Sequence, residues 1–194
     1  VTALGRGFEA MKAIKKSQEL APDFTDSTLG DGLFNYWATV VSLNTKSIPD
    51  RADTRAEGIQ QIKRVEQQAI FLKPAATLAL TYTWIEEGKK KKALVASLRN
   101  HHKYPDNVIN NQVLGRVYMY NKMYEESEET FKKVLSVDPG NRRVHYYLGL
   151  LYIRWDRDDQ ALESLNRYLQ LSNLSDREQG GALYYKGNIY FSRK

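Results

Sequence analysis

The sequence predicts an all-α fold in which antiparallel helix pairs stack into a solenoid, and three observations support this prediction. First, an apolar pattern recurs after 34 residues, so that Leu114-Gly115 aligns with Leu148-Gly149. Second, small residues recur with the same spacing where the two helices of a pair would meet. Third, Pro105 and Pro139 share this spacing and would each close a unit, because proline cannot continue a helix interior. A unit of this size cannot bury its apolar face alone, so neighbouring units must stack.

The first 43 residues predict two helices. The stretch "GFEAMKAIKKSQELAPDF" has apolar residues on or near one stripe at Phe8, Met11, Ile14 and Leu20. Ala10 and Pro22 fall at the small and terminal positions of a unit, so we interpret this helix as the second of a pair. The next stretch, "STLGDGLFNYWATVVSL", predicts a first helix with an i, i+4 apolar stripe of Leu29, Leu33, Trp37 and Val41.

An irregular loop, "NTKSIPD", is expected to follow. The stretch "TRAEGIQQIKRVEQQAIFLKP" then predicts a long second helix that ends at Pro74. This unit is longer than 34 residues, so residues 1–73 are expected to form a degenerate, elongated version of the repeat that begins clearly at residue 74.

Residues 74–175 contain three successive repeats in one register without a gap. A step of 34 residues links Leu80, Leu114 and Leu148, and equally the aromatic residues Trp84, Tyr118 and Tyr152 and the small residues Ala93, Ser127 and Ala161. The resulting order of L-G-x-x-Y, small residue, apolar residue and proline resembles the tetratricopeptide repeat (TPR) family. This resemblance implies a right-handed superhelix. The elongated unit before it, with "GDGLFNYW" and "AEGI", is similar to a group of bacterial TPR proteins.

The C-terminal stretch predicts one more first helix, over residues 176–194. Ser175 and Glu178 have the spacing of a capping box at its start. Gly187 and Tyr190 supply a further G-x-x-Y. The sequence ends at Lys194 before a second helix, so we expect either that the natural chain continues or that this helix packs against another chain.

The residues that support catalysis or metal binding are sparse. The sequence has no cysteine and three histidines, of which His101 and His102 would point apart on a helix. No P-loop, H-E-x-x-H, G-x-S-x-G or dinucleotide-binding pattern occurs. We therefore expect a protein that is not an enzyme and that uses no cofactor or metal. No apolar run is long enough for a membrane-spanning helix.

The TPR resemblance implies a concave groove lined by the first helix of each repeat. Repeat positions that face such a groove mix aromatic, aliphatic and arginine side chains, types that are frequent at protein–protein hot spots. The candidates are Leu78, Tyr82, Gln112, Arg116, Met119, Tyr120, Arg143, Tyr146, Leu150 and Arg154. Some TPR proteins bind chaperone C-termini through a clamp of Lys, Asn and Arg. Only Arg143 fits that clamp here, so this ligand is not expected.

The leading functional prediction is a non-catalytic scaffold that holds a peptide or helix of a partner protein in this groove. The alternative is a structural module that assembles homo- or hetero-oligomers through its terminal helices. A third possibility is polyanion binding through Lys89–Lys92. We disfavour nucleic acid as a partner, because the register places these lysines in a turn and at the start of a second helix. The bacterial resemblance favours an exported protein, and a cytoplasmic location stays open.

Overall fold

The structure is a computed structural model that describes residues 3–45, 52–171 and 174–193, with residues 3–8 described as backbone only. Within these ranges the chain forms ten α-helices and no strand, so the predicted all-α fold is confirmed. The helices are α1 (Ala3–Leu20), α2 (Thr28–Asn44), α3 (Arg55–Gln68), α4 (Lys73–Glu86), α5 (Lys90–Lys103), α6 (Val108–Tyr120), α7 (Tyr124–Val137), α8 (Arg142–Arg154), α9 (Asp158–Gln170) and α10 (Asp176–Ser192). A short 3-10 helix, Thr25–Ser27, precedes α2.

The chain divides into two compact units, Val1–Asn100 and His101–Lys194. The first contains α1 to α4 and most of α5, and the second contains α6 to α10. The three expected divisions at residues 1–73, 74–175 and 176–194 stay predictions.

Small residues set the approach of the paired helices in the second unit, as the sequence predicted. A Cβ added to Gly115 would lie 2.5 Å from the Phe131 ring, and one added to Gly149 would lie 2.6 Å from Leu165. The reciprocal residues Ser127 and Ala161 are fully buried. Ser127 Oγ also donates to the carbonyl oxygen of Gly115 at 2.7 Å, which ties α7 to α6.

The turns inside the three repeats share one backbone geometry. Gly88, Lys122 and Asp156 follow α4, α6 and α8, and they have φ angles of 67°, 62° and 55°. In each turn the N–H of the next residue donates back to a carbonyl in the last helical turn, as Lys89 does to Trp84 at 2.8 Å. These are left-handed helix ends, which favour glycine because it lacks a Cβ.

We expect opposite effects from exchanging residues at two of these turns. Gly88→Ala should lower the free energy of unfolding by about 1 kcal/mol, because alanine disfavours the left-handed region. No atom lies within 4 Å of a Cβ at Gly88, so crowding does not contribute. Lys122→Gly should raise the same quantity by up to about 1 kcal/mol. Urea denaturation followed by circular dichroism measures both, and changes of the same sign would contradict this explanation.

The core face of α2 differs from the predicted stripe by one position. Leu29 is buried as expected, but Val41 is exposed and Leu33 and Trp37 are only half-buried. The buried face continues instead through Gly32, Tyr36 and Val40, with Tyr36 fully enclosed. The cause is a close crossing of α2 and α3 at Gly32 and Gly58, which turns Gly32 and the neighbouring Tyr36 of α2 toward α3.

The prediction that the helix after the loop ends at Pro74 is wrong. α3 ends at Gln68, and Lys73 and Pro74 instead begin α4, with proline in the first turn where its missing N–H is tolerated. The intervening segment is fixed by the Asp26 carboxylate, which accepts hydrogen bonds from the backbone N–H groups of Ile70, Phe71 and Leu72 at 2.8, 2.8 and 2.7 Å. These three hydrogen bonds satisfy backbone N–H groups that would otherwise bond to carbonyl groups within a helix.

α1 is a helix as predicted, but its packing differs from the expected repeat position. Ala10 is exposed and Leu20 is 75% exposed, whereas Met11 and Ile14 are half-buried. The side chain of Phe8 lies outside the described part of the chain. Most of the predicted "NTKSIPD" loop also lies outside the described part of the chain, which ends at residue 45 after α2 and begins again at residue 52.

The capping box at the start of α10 is confirmed. Ser175 Oγ accepts from the Glu178 backbone N–H at 3.4 Å, and the Glu178 carboxylate accepts from the Ser175 backbone N–H at 2.9 Å. Ala182 and Ile189 of this helix are buried, and Tyr190 is exposed. No atom lies within 4 Å of a Cβ added to Gly187, so no helix of the described chain uses this glycine for a close approach.

Candidate partner-binding groove

The ten candidate groove residues lie on three helices in two units. Leu78 and Tyr82 are half-buried residues of α4 in the first unit. The other eight belong to the second unit, on α6 and α8. The geometry that follows concerns the second unit, where the larger set of candidates can be compared directly.

Two of the α6 candidates are enclosed by their own unit. Met119 is 1% exposed and belongs to the apolar core of the second unit, which is built from residues of α6 to α10. Gln112 is buried, and its Nε2 donates to Oδ1 of Asn141 at 3.1 Å. Asn141 in turn caps α8 by accepting from the Val144 backbone N–H. Both residues hold α6 and α8 in place, and neither side chain presents an open surface in this structure.

The two remaining α6 candidates, Arg116 and Tyr120, each form a cation–π pair with a residue of α8. The Arg116 guanidinium lies over the ring of Tyr147, 4.7 Å from its centroid. The Arg154 guanidinium lies 5.9 Å from the centroid of the Tyr120 ring, and its Nη1 donates to the Leu150 carbonyl at 3.2 Å. These stacked pairs order the arginine side chains while leaving the exposed Arg154 accessible.

The four α8 candidates differ in how far their side chains are exposed to solvent. Arg143 in the first turn and Arg154 in the last turn are exposed, Tyr146 is half-buried and Leu150 is 9% exposed. The face of α8 therefore offers two cationic ends with an aromatic ring between them.

Tyr146 is at the centre of a tyrosine cluster that the sequence pattern did not reveal. Its ring centroid lies 6.0 Å from that of Tyr147, 5.2 Å from that of Tyr168 and 6.4 Å from that of Tyr185. Burial, followed by the neighbouring tyrosines, raises the pKa of Tyr146. Burial and then the charge of Glu178 raise the pKa of Tyr168. These two phenols are thus neutral hydrogen-bond donors at physiological pH.

The lysine run lies where the register predicted it, in the turn after Gly88 and in the first turn of α5. The structure adds a contact that the sequence did not suggest. The ammonium groups of Lys89 and Lys92 lie 5.2 Å from the centroid of the Trp84 ring, and that of Lys63 lies 5.6 Å from it. Lys89 also pairs with Glu87 at 3.2 Å. The aliphatic stems of these lysines can therefore cover the indole.

Two histidines make structural hydrogen bonds at the helix ends. His101 Nδ1 lies 2.6 Å from Oδ1 of Asn111, and His145 Nε2 lies 2.9 Å from the carbonyl oxygen of Pro139. In the part of the chain that the structure describes, no three His, Asp or Glu side chains converge as metal ligands. None of the described helices is both long and apolar enough to span a bilayer.

Comparison with known proteins identifies the repeat. A tetratricopeptide repeat model matches residues 110–141, which include most of α6 and all of α7. No curated protein sequence matches the chain significantly.

Among solved structures, the chain is similar to YrrB, described as a TPR protein with an unusual peptide-binding site. The TM-score is 0.64 and the sequence identity 18%, with 95% of this chain and 87% of that chain covered. It is also similar to MamA (41-end) from Desulfovibrio magneticus RS-1, with a TM-score of 0.63, 17% identity and 89% of each chain covered. At such identities the likeness establishes the fold. The prediction of a TPR-type helical-repeat protein is confirmed.

Proposed function

We propose that this chain is a non-catalytic protein-interaction module whose α6–α8 face in the second unit binds an extended segment of another protein. The observation that carries the proposal is the set of arginine and tyrosine side chains on this face, namely Arg116, Tyr120, Arg143, Tyr146 and Arg154. Such side chains combine large contact area with hydrogen-bonding ends, and they are enriched where truncation costs the most binding energy. The fold supports the proposal, because a solenoid of stacked repeats presents extended binding surfaces.

The likeness to YrrB supports a peptide as ligand, since that protein is described as having a peptide-binding site. The candidates of the second unit differ in burial, which supports assigning them different roles. Gln112, Met119 and Leu150 are buried, so we assign them to shaping the face, and we assign direct contact to the accessible arginines and tyrosines. Leu78 and Tyr82 stay candidates for contact in the first unit.

We expect Arg116→Glu and Tyr146→Ala each to weaken peptide capture by about thirtyfold or more, because loss of a hot-spot side chain costs at least ~2 kcal/mol. The probes are peptides selected on the wild-type chain from a random-peptide display library, and fluorescence anisotropy measures their affinity. Arg167→Glu on α9 is the matched control, since Arg167 is exposed and is not a groove candidate. Helicity should not change, whereas Tyr146→Ala should lower the melting temperature because its ring packs against three other tyrosines, so affinities are compared well below the melting temperature of each variant. If both groove variants bind as tightly as the control, this face is not the binding site.

A specific observation also favours the structural alternative. On α10 the side chains of Leu183, Tyr184 and Tyr190 are exposed, and that of Phe191 is 81% exposed. Exposed apolar side chains clustered on one element are typical of protein-interaction surfaces. A second copy of the chain would cover them in an assembly through the terminal helices. Light scattering over a concentration series discriminates, because a strict monomer at high concentration would exclude self-assembly.

A further inference from the structure

A cavity of about 270 Å³ opens between the first turns of α8 and α10, beside Tyr168 near the end of α9. Its aromatic lining is formed by Tyr146, Tyr147 and Tyr168. Arg142, Arg143 and Arg177 supply three guanidinium groups to the same cavity. Pockets that bind small-molecule ligands usually have volumes of about 300–1,000 Å³. The size of this cavity therefore suits one or two side chains of a bound peptide better than a separate cofactor.

The cavity has an excess of positive charge. Its one carboxylate, Glu178, forms a 3.5 Å ion pair with Arg142. The other oxygen of Glu178 is committed to the cap of α10, where it accepts from the backbone N–H and Oγ of Ser175 at 2.9 and 2.7 Å. Those hydrogen bonds lower the pKa of Glu178, so it is ionised at neutral pH. Three guanidinium groups thus face one carboxylate that is already bonded.

Two of the arginines make no direct bond of their own within the described chain, although the charge of Arg143 interacts with that of Glu178. Throughout the described ranges, neither Arg143 nor Arg177 makes a side-chain hydrogen bond or an ion pair, and both side chains are exposed. A guanidinium group offers five donors in a planar fork that matches a carboxylate. The neutral phenols nearby can donate hydrogen bonds but bring no negative charge that would repel an anion.

We propose that this cavity is an anchor pocket for an aspartate or glutamate side chain within an extended peptide. The positive charge of the cavity selects an acidic side chain, whose carboxylate Arg143 and Arg177 bind. The tyrosine rings pack against the aliphatic part of that side chain and against the neighbouring residue of the peptide. The inference rests on the function proposed above and specifies its ligand: a partner segment with an internal acidic residue, at a position defined by the N-terminal ends of α8 and α10.

Two adjacent glycines of α10 provide a matched pair of variants. A Cβ on Gly181 would point at the cavity, 3.7 Å from the Tyr146 hydroxyl, which is an ordinary contact distance. A Cβ on Gly180 would have no atom within 4 Å, and Gly180 does not line the cavity. Gly181→Met therefore fills the pocket, whereas Gly180→Met makes the same chemical change outside it. Both replace a helical glycine by a better helix former, so neither should destabilise α10.

The experiment uses peptides selected on the wild-type chain by display. Each is resynthesised with its acidic residues changed to the corresponding amides, and with either a free or an amidated C-terminus. We expect the internal amide change and Gly181→Met each to weaken binding by about tenfold or more, which corresponds to ~1.4 kcal/mol. Gly180→Met and C-terminal amidation should leave affinity within about twofold of the starting value.

Arg177→Gln gives a second measurement that does not depend on the glycine variants, with Arg167→Gln as its control. It should weaken binding of the acidic peptide but not of its amide form. If selected peptides show no preference for acidic residues, and Gly181→Met binds them as tightly as Gly180→Met does, the proposal of an acidic anchor pocket is wrong. The proposal that the α6–α8 face binds peptides is not affected by that result. If affinity depends on the C-terminal carboxylate alone, the internal acidic anchor is overturned. If no peptide is captured by the wild-type chain, the proposed function itself fails.

Discussion

Gly58→Ala is expected to lower the free energy of unfolding of the first unit by about 3 kcal/mol, at the upper end for an overpacked core. The added Cβ would lie 2.7 Å from the carbonyl oxygen of Gly32 and 2.7 Å from the backbone nitrogen of Tyr36. Both atoms belong to the α2 backbone, so no change of rotamer relieves the contact. The two helices would have to separate, and the fully buried Tyr36 would lose part of its packing.

Gly30→Ala on α2 is the matched control. A Cβ there would meet only side-chain atoms of Ile14, most closely its terminal Cδ1, and this side chain can move. The gain in helix propensity, about 1 kcal/mol for glycine to alanine, should offset most of the remaining cost. Chemical denaturation followed by circular dichroism would show a large shift of the midpoint for Gly58→Ala and a small one for Gly30→Ala. Equal midpoints for the two variants would show that backbone contact at Gly58 does not set the approach of α2 to α3.

The periodic part of the fold was predictable because residues of similar size and polarity occupy the same packing positions in three successive repeats. Gly115 and Gly149 both admit a large side chain of the following helix, and the left-handed turns recur with the same spacing. One pattern therefore determines helix position, pairing and turn. The α2–α3 crossing at Gly32 and Gly58 occurs once, so no repetition distinguishes its buried face from the neighbouring stripe of Leu33 and Trp37.

The end of α3 was not predictable from local sequence for two reasons. A proline is compatible with the end of one helix and with the first turn of the next, so Pro74 could mark either. The residue that decides between them is Asp26, which is more than forty positions away from the segment it binds. A contact of that sequence separation leaves no periodic signal.

The groove candidates stay predictions, and the sequence limits them for a similar reason. Repeat position indicates which residues of a first helix lie toward the next repeat, and it selects Arg143 and Tyr146 on α8. It does not tell an accessible side chain from an enclosed one, as Met119 shows. Nor does it reveal Tyr168 and Arg177, which join the cavity only through the packing of α9 and α10 against α8.

The second large effect is expected for Asp26, the residue that holds the segment between α3 and α4. Asp26→Ala removes the acceptor of three backbone N–H groups, and hydrogen bonds to a charged group contribute about 1.5–3 kcal/mol each. Ile70 and Phe71 are exposed, so water can replace some of these bonds. We therefore expect a loss of about 3 kcal/mol in the free energy of unfolding rather than the full sum.

Hydrogen exchange locates this effect within the chain. The amides of Ile70, Phe71 and Leu72 should exchange faster in Asp26→Ala than in the wild type, because opening of the segment then requires less free energy. Asp23→Asn is the matched control, since Asp23 is exposed and lies in the same connection between α1 and α2. A variant at Asp26 that protects these three amides as well as Asp23→Asn does would show that the carboxylate does not hold the segment.

The stabilisation by Asp26 should also depend on pH. Burial alone would raise its pKa, but the backbone N–H groups of Ile70, Phe71 and Leu72 outweigh burial and hold the pKa of Asp26 below its ordinary value. The folded state thus binds the proton less tightly than the unfolded state, whose aspartate pKa is about 3.9. The contribution is therefore fully present above that value and is lost as pH falls through the lower, folded pKa. Urea denaturation at a series of pH values should show the difference between wild type and Asp26→Asn shrinking in acid, while a constant difference would contradict a role for the charge.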